Sequence, residues 1–244
     1  MKASKFEFRF RLVIMVVLIW FGFWAPWIES LHLGHRHSLL EALAVGLSRT
    51  GLVTFTVATP LVILFGSLVA AIGAGLRVWG TAWLGSKIVN NLNMKADAVV
   101  VAGPFRYVRN PLYLGSWFTI GAIAFIMPPT GALFLMVLLS LFLFRLILGE
   151  EAFLTTQLGQ PYVAYLSAVP RLFPRLRSTL PPANGNTRWL RAVLAELNPI
   201  GIFVTLAVFS WSYNHWLMVQ AVLVSFGLSL VVRALLPRSD AQPA

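Results

Sequence analysis

The sequence predicts an all-α fold: a polytopic transmembrane helical bundle of about five to six spans. Three observations predict it. Of 244 residues, 58% are hydrophobic and only 11% are charged, where a typical soluble domain carries about a quarter charged. The charges gather in a few places and leave long uncharged runs, and spanning a bilayer takes roughly 20 apolar residues in a row. The longest run is broken in its middle by Pro128-Pro129-Thr130-Gly131, which is strong turn chemistry.

The elements follow in order. The N-terminus has a basic start and then an apolar stretch, as a signal peptide does. The stretch Leu12 to Ile28 is long and rich in Trp and Phe, and no small-residue cleavage site follows. It is therefore expected to be retained as span one, Arg11 to Ile28, with Trp20, Trp24 and Trp27 forming an interfacial belt near its end. A polar stretch, Glu29 to Thr50, carries His32, His35 and His37. Span two is the uncharged run Gly51 to Leu76. Pro60 is placed to kink it, and Gly66, Ala70, Gly73 and Ala74 offer small surfaces for close helix packing. Arg77 to Arg109 is basic, with Asp97 as its one acid, and too polar to span. Asn110 to Phe144 is too long for one helix and reads as a hairpin, spans three and four. Arg145 to Asn198 is polar again and rich in proline. Pro199 to Val232, interrupted by Asn214 and His215, reads as a second hairpin, spans five and six. Residues 1–198 thus form a membrane core and 199–244 an additional C-terminal hairpin and tail.

Orientation follows from lysine and arginine. The N-tail, the two large polar segments and the C-tail hold all but two of the 19 basic residues, Arg36 and Arg49 being the exceptions. Both termini and both large loops are expected to be cytoplasmic. The net charge of +11 is then a matter of topology and lipid headgroups, not of nucleic acid, which is not expected as a partner. There is no cysteine, which excludes disulfides and thiol catalysis. The three histidines suggest a metal only weakly, because Glu29 and Glu41 are the sole carboxylates near them; no metal is expected. No internal repeat of the inverted-transporter kind is present, and the spans are almost free of charge, which argues against a polar translocation path.

Two clusters can carry chemistry. The first is the run Gly103-Pro104-Phe105-Arg106-Tyr107-Val108-Arg109-Asn110-Pro111-Leu112-Tyr113-Leu114-Gly115, where a loop enters span three. Pro111 suits a first helical turn, and a helix N-terminus offers free N–H groups to an anion. The alternative reading is a basic, aromatic membrane-edge anchor. The second is Arg145 followed by Gly149-Glu150-Glu151, at the end of span four. Acids beside a membrane helix usually have a partner or a task; the alternative is a helix end in contact with water. The helix is expected to continue through Phe153, Leu154 and Leu158.

These residues carry a resemblance. The first run resembles the Arg-His-Pro-x-Tyr-x-Gly motif of the isoprenylcysteine carboxyl methyltransferase family, a motif class shared with phospholipid N-methyltransferases. Glu150-Glu151, with Leu154, Gly159, Tyr162, Tyr165 and Val169-Pro170-Arg171 after it, resembles the second family motif at the expected separation. The resemblance covers a motif block of residues 76–174. It implies an integral membrane methyltransferase that uses S-adenosylmethionine, with loops and a short helix forming the cofactor site at the cytoplasmic face. Gly103, Tyr107, Arg109, Asn110, Pro111, Tyr113, Glu150 and Glu151 would bind the cofactor. Asn110 departs from the pattern, standing where many members have His; Asn hydrogen-bonds but does not titrate near neutral pH. Gly73-Ala74-Gly75 follows a membrane-length helix, so it lacks the strand context of a nucleotide fingerprint and reads as packing.

The implied acceptor is lipidic or delivered from the membrane. For the carboxylate of a prenylated cysteine no base is needed, only a cationic guide, with Arg109, Arg145 and Arg171 as candidates. A phospholipid amine would need a base, for which Glu150 or Glu151 could serve; small thiols are a third acceptor class. Arg109, Arg145 and Glu150 are thus the expected catalytic residues. Rival readings are a membrane reductase related to the sterol reductases and a non-catalytic scaffold. The sequence sets no oligomeric state.

Overall fold

The computed structural model describes residues 2–24, 37–85, 99–181, 187–209, 212 and 214–235. Among these residues every regular element is helical. A short α1 (Lys5–Arg9) leads into α2 (Arg11–Phe23). Then come α3 (Leu39–Arg49) and the long α4 (Phe55–Leu84). A 3-10 turn (Gly103–Arg106) precedes α5 (Pro111–Ala124). The long α6 (Pro129–Leu158) runs into α7 (Gln160–Ala168). Finally come α8 (Trp189–Ala195), α9 (Leu197–Val204) and α10 (His215–Leu235).

The α5–α6 hairpin forms where the prolines place it. The chain turns at Phe125–Pro128, and Pro129 occupies the first turn of α6, where its missing N–H costs nothing. The helix α6 continues past Arg145 and Glu150 to Leu158, as the apolar spacing of Phe153, Leu154 and Leu158 suggests. It is the axis of the fold. Leu135, Leu139 and Leu146 have no exposed surface, and Ile126 and Met127 of the turn are sealed beside them.

Three expectations are corrected. Span two does not stop at Leu76: α4 extends to Leu84 and carries Arg77 inside it, because that arginine has a buried partner described below. The polar stretch before Thr50 contains a helix. Ser38 and Glu41 form a capping box, and Leu40 and Ala44 are buried against α4 and the hairpin turn. The amides of Leu39 and Leu40 donate to the carbonyls of Met127 and Phe125 at 2.7 and 2.9 Å, so α3 closes the end of the hairpin. The third concerns the last apolar stretch. Its first leg starts before Pro199, and α8 and α9 meet at a 70° bend. Asn214 does punctuate the stretch: its Oδ1 accepts from the Leu217 amide at 3.0 Å and caps α10. Trp27, His32 and His35 lie outside the described residues, and His37 makes an exposed pair with Glu41 at 3.8 Å.

Among the described residues two helices, α4 and α6, are long and apolar enough to cross a membrane, or three if the bent pair counts as one span; α2, α5 and the body of α10 are apolar but shorter. Leu61, Leu64 and Leu68 of α4 and Leu133, Val137 and Leu141 of α6 face outward, as lipid contact requires. These apolar helices make the chain an integral membrane protein. At about 1.5 Å per residue, Arg77 lies about 33 Å along α4 and Glu150 about 32 Å along α6. That is the thickness of the hydrocarbon core, about 30 Å. The charged groups therefore stand together at one end of the bundle, level with the headgroups.

Helix α5 lies tight against α4. A Cβ on Gly73 would stand 2.6 Å from Thr119 Oγ1 and 2.9 Å from the Gly115 carbonyl. Gly73 is thus a packing residue, as expected. Gly75 is not: nothing lies within 4 Å of its Cβ position, because it faces away from α5.

Candidate functional site

The site is assembled by backbone and side-chain hydrogen bonds that tie the first motif segment to residues 165–180. The Arg109 amide donates to the Pro170 carbonyl at 2.9 Å, and the Arg175 amide donates to the Tyr107 carbonyl at 3.0 Å. The Tyr165 hydroxyl donates to the Phe105 carbonyl at 2.8 Å, and Arg106 Nε donates to the Leu180 carbonyl at 3.1 Å. Gly103 starts the first segment with φ +54, and any Cβ there would collide with the Trp83 indole. Only glycine meets both conditions. Gly159, at φ +61, turns the chain from α6 into α7 and so returns the second segment to the first.

Glu151 is the centre. It is only 6% exposed. Arg109 Nη1 stands 3.1 Å from its Oε1. Arg171 donates to its Oε2 through Nη2 at 2.7 Å and Nε at 2.9 Å. Asn110 Nδ2 donates to Oε1 at 3.3 Å and to the Arg171 carbonyl at 3.2 Å. A carboxylate has about four lone-pair positions, and here four contacts fill them. The hydrogen bond to Glu151 raises the Arg171 pKa above its ordinary value. Burial pushes the Tyr162 and Tyr165 phenols above their ordinary values, so both are neutral donors across the physiological range.

Glu150 is placed differently. The Tyr113 hydroxyl donates to its Oε2 at 2.7 Å, and its remaining lone pairs leave room for another donor. Tyr113 also lines a cavity of about 540 Å3, bounded by Ile72 and Leu76 of α4, Trp117 of α5, Phe144 of α6 and the Leu172–Pro174 segment. The cavity wall is apolar apart from Tyr113 and Ser140. It is an apolar groove between helices whose one end carries a phenol and, behind it, a carboxylate.

The structure thus brings Arg109, Asn110, Tyr113, Glu150 and Glu151 into one neighbourhood, with Pro111 starting α5 beneath them. Gly103 shapes the loop, and the Tyr107 ring stacks near Trp79 at 6.1 Å. Arg145 is turned elsewhere: its guanidinium meets Glu7 of α1 at 2.9 Å. Arg109 Nε is buried with no hydrogen-bond partner among the described residues. A buried donor of this kind takes its acceptor from water or from a ligand. With the spare lone pairs of Glu150, it fits a molecule that has both a carboxylate and hydroxyl or amino groups, as S-adenosylmethionine does.

A second polar cluster was not legible in the sequence. Glu196, fully buried at the α8–α9 bend, accepts from Arg77 Nε at 2.6 Å, Arg77 Nη2 at 3.0 Å and Thr81 Oγ1 at 2.7 Å. Arg77 Nη1 also donates to Ser116 Oγ of α5 at 2.6 Å. Glu196 stands near Arg188 and Arg191 in the chain, and local spacing suggests those partners. A single acid beside an apolar run was the one available signal.

Residues 61–161 match the model of the phospholipid methyltransferase family. The matched segment holds the first motif, the α5–α6 hairpin, Glu150 and Glu151. It is consistent with the membrane methyltransferases that the two motifs resemble, and it supports a membrane methyltransferase. No curated protein and no solved structure matches the chain.

Proposed function

We propose that this protein is an S-adenosylmethionine-dependent methyltransferase acting on a lipidic acceptor, with its motif loops and both termini cytoplasmic. The observation that carries the reading is one juxtaposition. Glu151, held by Arg109, Asn110 and Arg171, lies beside Glu150 and Tyr113 at the end of an apolar, membrane-level groove.

When bound, the cofactor supplies an electrophilic methyl group on a sulfonium. The chain's own residues then divide the work. Glu151 fixes Arg109 and Arg171 in place. Arg109 Nε offers the donor for a carboxylate, and Glu150 accepts from a hydroxyl or amino group. The groove holds the apolar tail of the acceptor and aligns its reactive group with Tyr113, and such alignment is a large part of lowering a two-reactant barrier.

The first acceptor is the carboxylate of a prenylated cysteine, already ionised, guided by the residual positive charge of Arg109 and Arg171. A second reading, a phospholipid amine, is favoured by Glu150, because a carboxylate at the groove's end attracts an ammonium and can take its proton.

The test is calorimetric titration of detergent-purified protein with S-adenosylmethionine. Wild type is expected to bind. Glu150→Gln or Arg109→Ala is expected to abolish binding or turnover while the protein still inserts. Transfer of labelled methyl to an N-acetyl-S-farnesyl-cysteine or to phosphatidylethanolamine in mixed micelles then separates the two acceptors. Unchanged turnover in both variants would refute the assignment of these residues.

A further inference from the structure

The apolar groove beside Tyr113 has a built end. At about 1.5 Å per residue, Ser140 lies about 16 Å into α6, about half of the way to Glu150. It therefore stands near the middle of a hydrocarbon core about 30 Å thick. On α5, Trp117 stands about 9 Å beyond Pro111. Trp117 Nε1 donates to Ser140 Oγ at 2.9 Å, and Ser140 Oγ donates in turn to the Met136 carbonyl at 2.6 Å. Both donors are satisfied, at a depth where no water replaces a lost bond. The indole is thereby held in one orientation, and the Phe118 ring backs it edge-on with centroids 5.3 Å apart.

The groove ends at this bond. Its deepest lining residues are Ile72 of α4, Trp117 and Phe118 of α5 and Ser140 of α6. One turn further from the headgroups come Gly121 on α5 and Met136 on α6, and a Cβ on Gly121 would stand 3.4 Å from Met136 Cε. There the two helices pack against each other. The space between them is a wedge, with Tyr113 at its mouth and an indole on a hydroxyl at its apex. A tail that enters at headgroup level runs down the wedge for about one leaflet and meets Trp117. A tail that ends there is seated along its whole length, whereas a longer one has to fold back or leave sideways into lipid.

We infer that Trp117 sets the length of apolar tail that the acceptor groove takes, and that Ser140 is a positioning residue acting through the indole. The inference rests on the acceptor groove proposed above.

Two readouts test it. The first needs neither cofactor nor turnover. Protein in nanodiscs is irradiated with two probes that carry a diazirine at the tail end, an N-acetyl-S-farnesyl-cysteine and a phosphatidylethanolamine, and the labels are mapped by mass spectrometry. In wild type one of the probes is expected to label Ile72, Trp117 or Phe118. In Trp117→Ala the label is expected to move past the apex onto Met136. No label in the groove, or the same pattern in both proteins, would overturn the stop. The second readout is transfer of labelled methyl to acceptors of graded tail length, prenyl and acyl. Trp117→Ala is expected to raise kcat/KM for the longest tail over the shortest several-fold, mainly through KM. Ser140→Ala, which frees the indole, is expected to move the ratio in the same direction, and Ser140→Thr, which keeps the hydroxyl, to hold it at the wild-type value. A ratio unchanged in Trp117→Ala overturns the stop. A ratio unchanged in Ser140→Ala, or moved equally in Ser140→Thr, overturns the positioning role. Labels at the stop with no methyl transfer to any acceptor would instead defeat the methyltransferase reading and leave the stop standing.

Discussion

Asn110 stands immediately before Pro111, and a proline pushes the preceding residue out of the helical region. Its φ of -121 and ψ of 53 follow. The side chain makes no cap for α5; it donates instead to Glu151 and to the Arg171 carbonyl. A neutral amide is sufficient for that, which accounts for Asn where the family pattern has His. The other buried acid behaves alike. Glu196 is sealed from solvent and satisfied by Arg77, whose side chain is mostly buried, and removing the arginine leaves an uncompensated charge. Arg77→Met is expected to cost about 3 kcal/mol or more, read by unfolding in detergent. The pair replacement Arg77→Met with Glu196→Leu is expected to cost less than the single change. An equal or larger loss in the double variant would show that the ion pair is itself stabilising.

Elements are held by close approach. The α4–α5 crossing depends on Gly73 and Gly115, where a Cβ would meet backbone atoms of the other helix at 2.7 and 2.9 Å even if the Thr119 and Arg77 side chains moved aside. Gly73→Ala is expected to destabilise by about 1–3 kcal/mol through overpacking. Gly75→Ala, two positions on and facing open space, is expected to be neutral or to stabilise by up to about 1 kcal/mol, since alanine favours helix over glycine. Thermal unfolding of the two variants side by side checks this, and equal losses would refute the crossing as described. The hairpin α5–α6 was legible because proline and glycine act locally. The helix α3 was legible in principle, through Ser38 and Glu41, but the polar residues around it mask that signal. The extension of α4 through Arg77 was not legible, since a charge ends a predicted span unless its distant partner is known.

At the scale of the whole molecule, the N-terminal segment is tied to the site end of α6 by one ion pair that senses pH. The Arg145 guanidinium holds the Glu7 carboxyl down to about 2, from an ordinary 4.5. A carboxylate depressed by folding contributes stability above its unfolded pKa and loses it as pH falls through the folded one. The contribution of the pair is thus complete above about 4.5 and fades between 4.5 and about 2. Comparing melting of wild type and Glu7→Gln from pH 6 to pH 2 is expected to show a difference that shrinks to zero at the acid end. A difference independent of pH would mean that Glu7 acts by packing alone.

The sequence by itself determined the helical membrane class, the α5–α6 hairpin and the two motif segments. These follow from composition, from uninterrupted apolar length and from turn residues, all of which act within a few positions of the chain. The partners were decided only by tertiary structure. Arg145, legible as a candidate guide beside Glu150, turns to Glu7, 138 positions away, and Arg77 finds Glu196 across 119 positions. Glu150 and Glu151 are adjacent in the chain, yet one is filled by two arginines and an asparagine while the other meets a phenol that lines an apolar groove. Successive helical residues point about 100° apart, so which neighbour each one meets depends on how the helices pack.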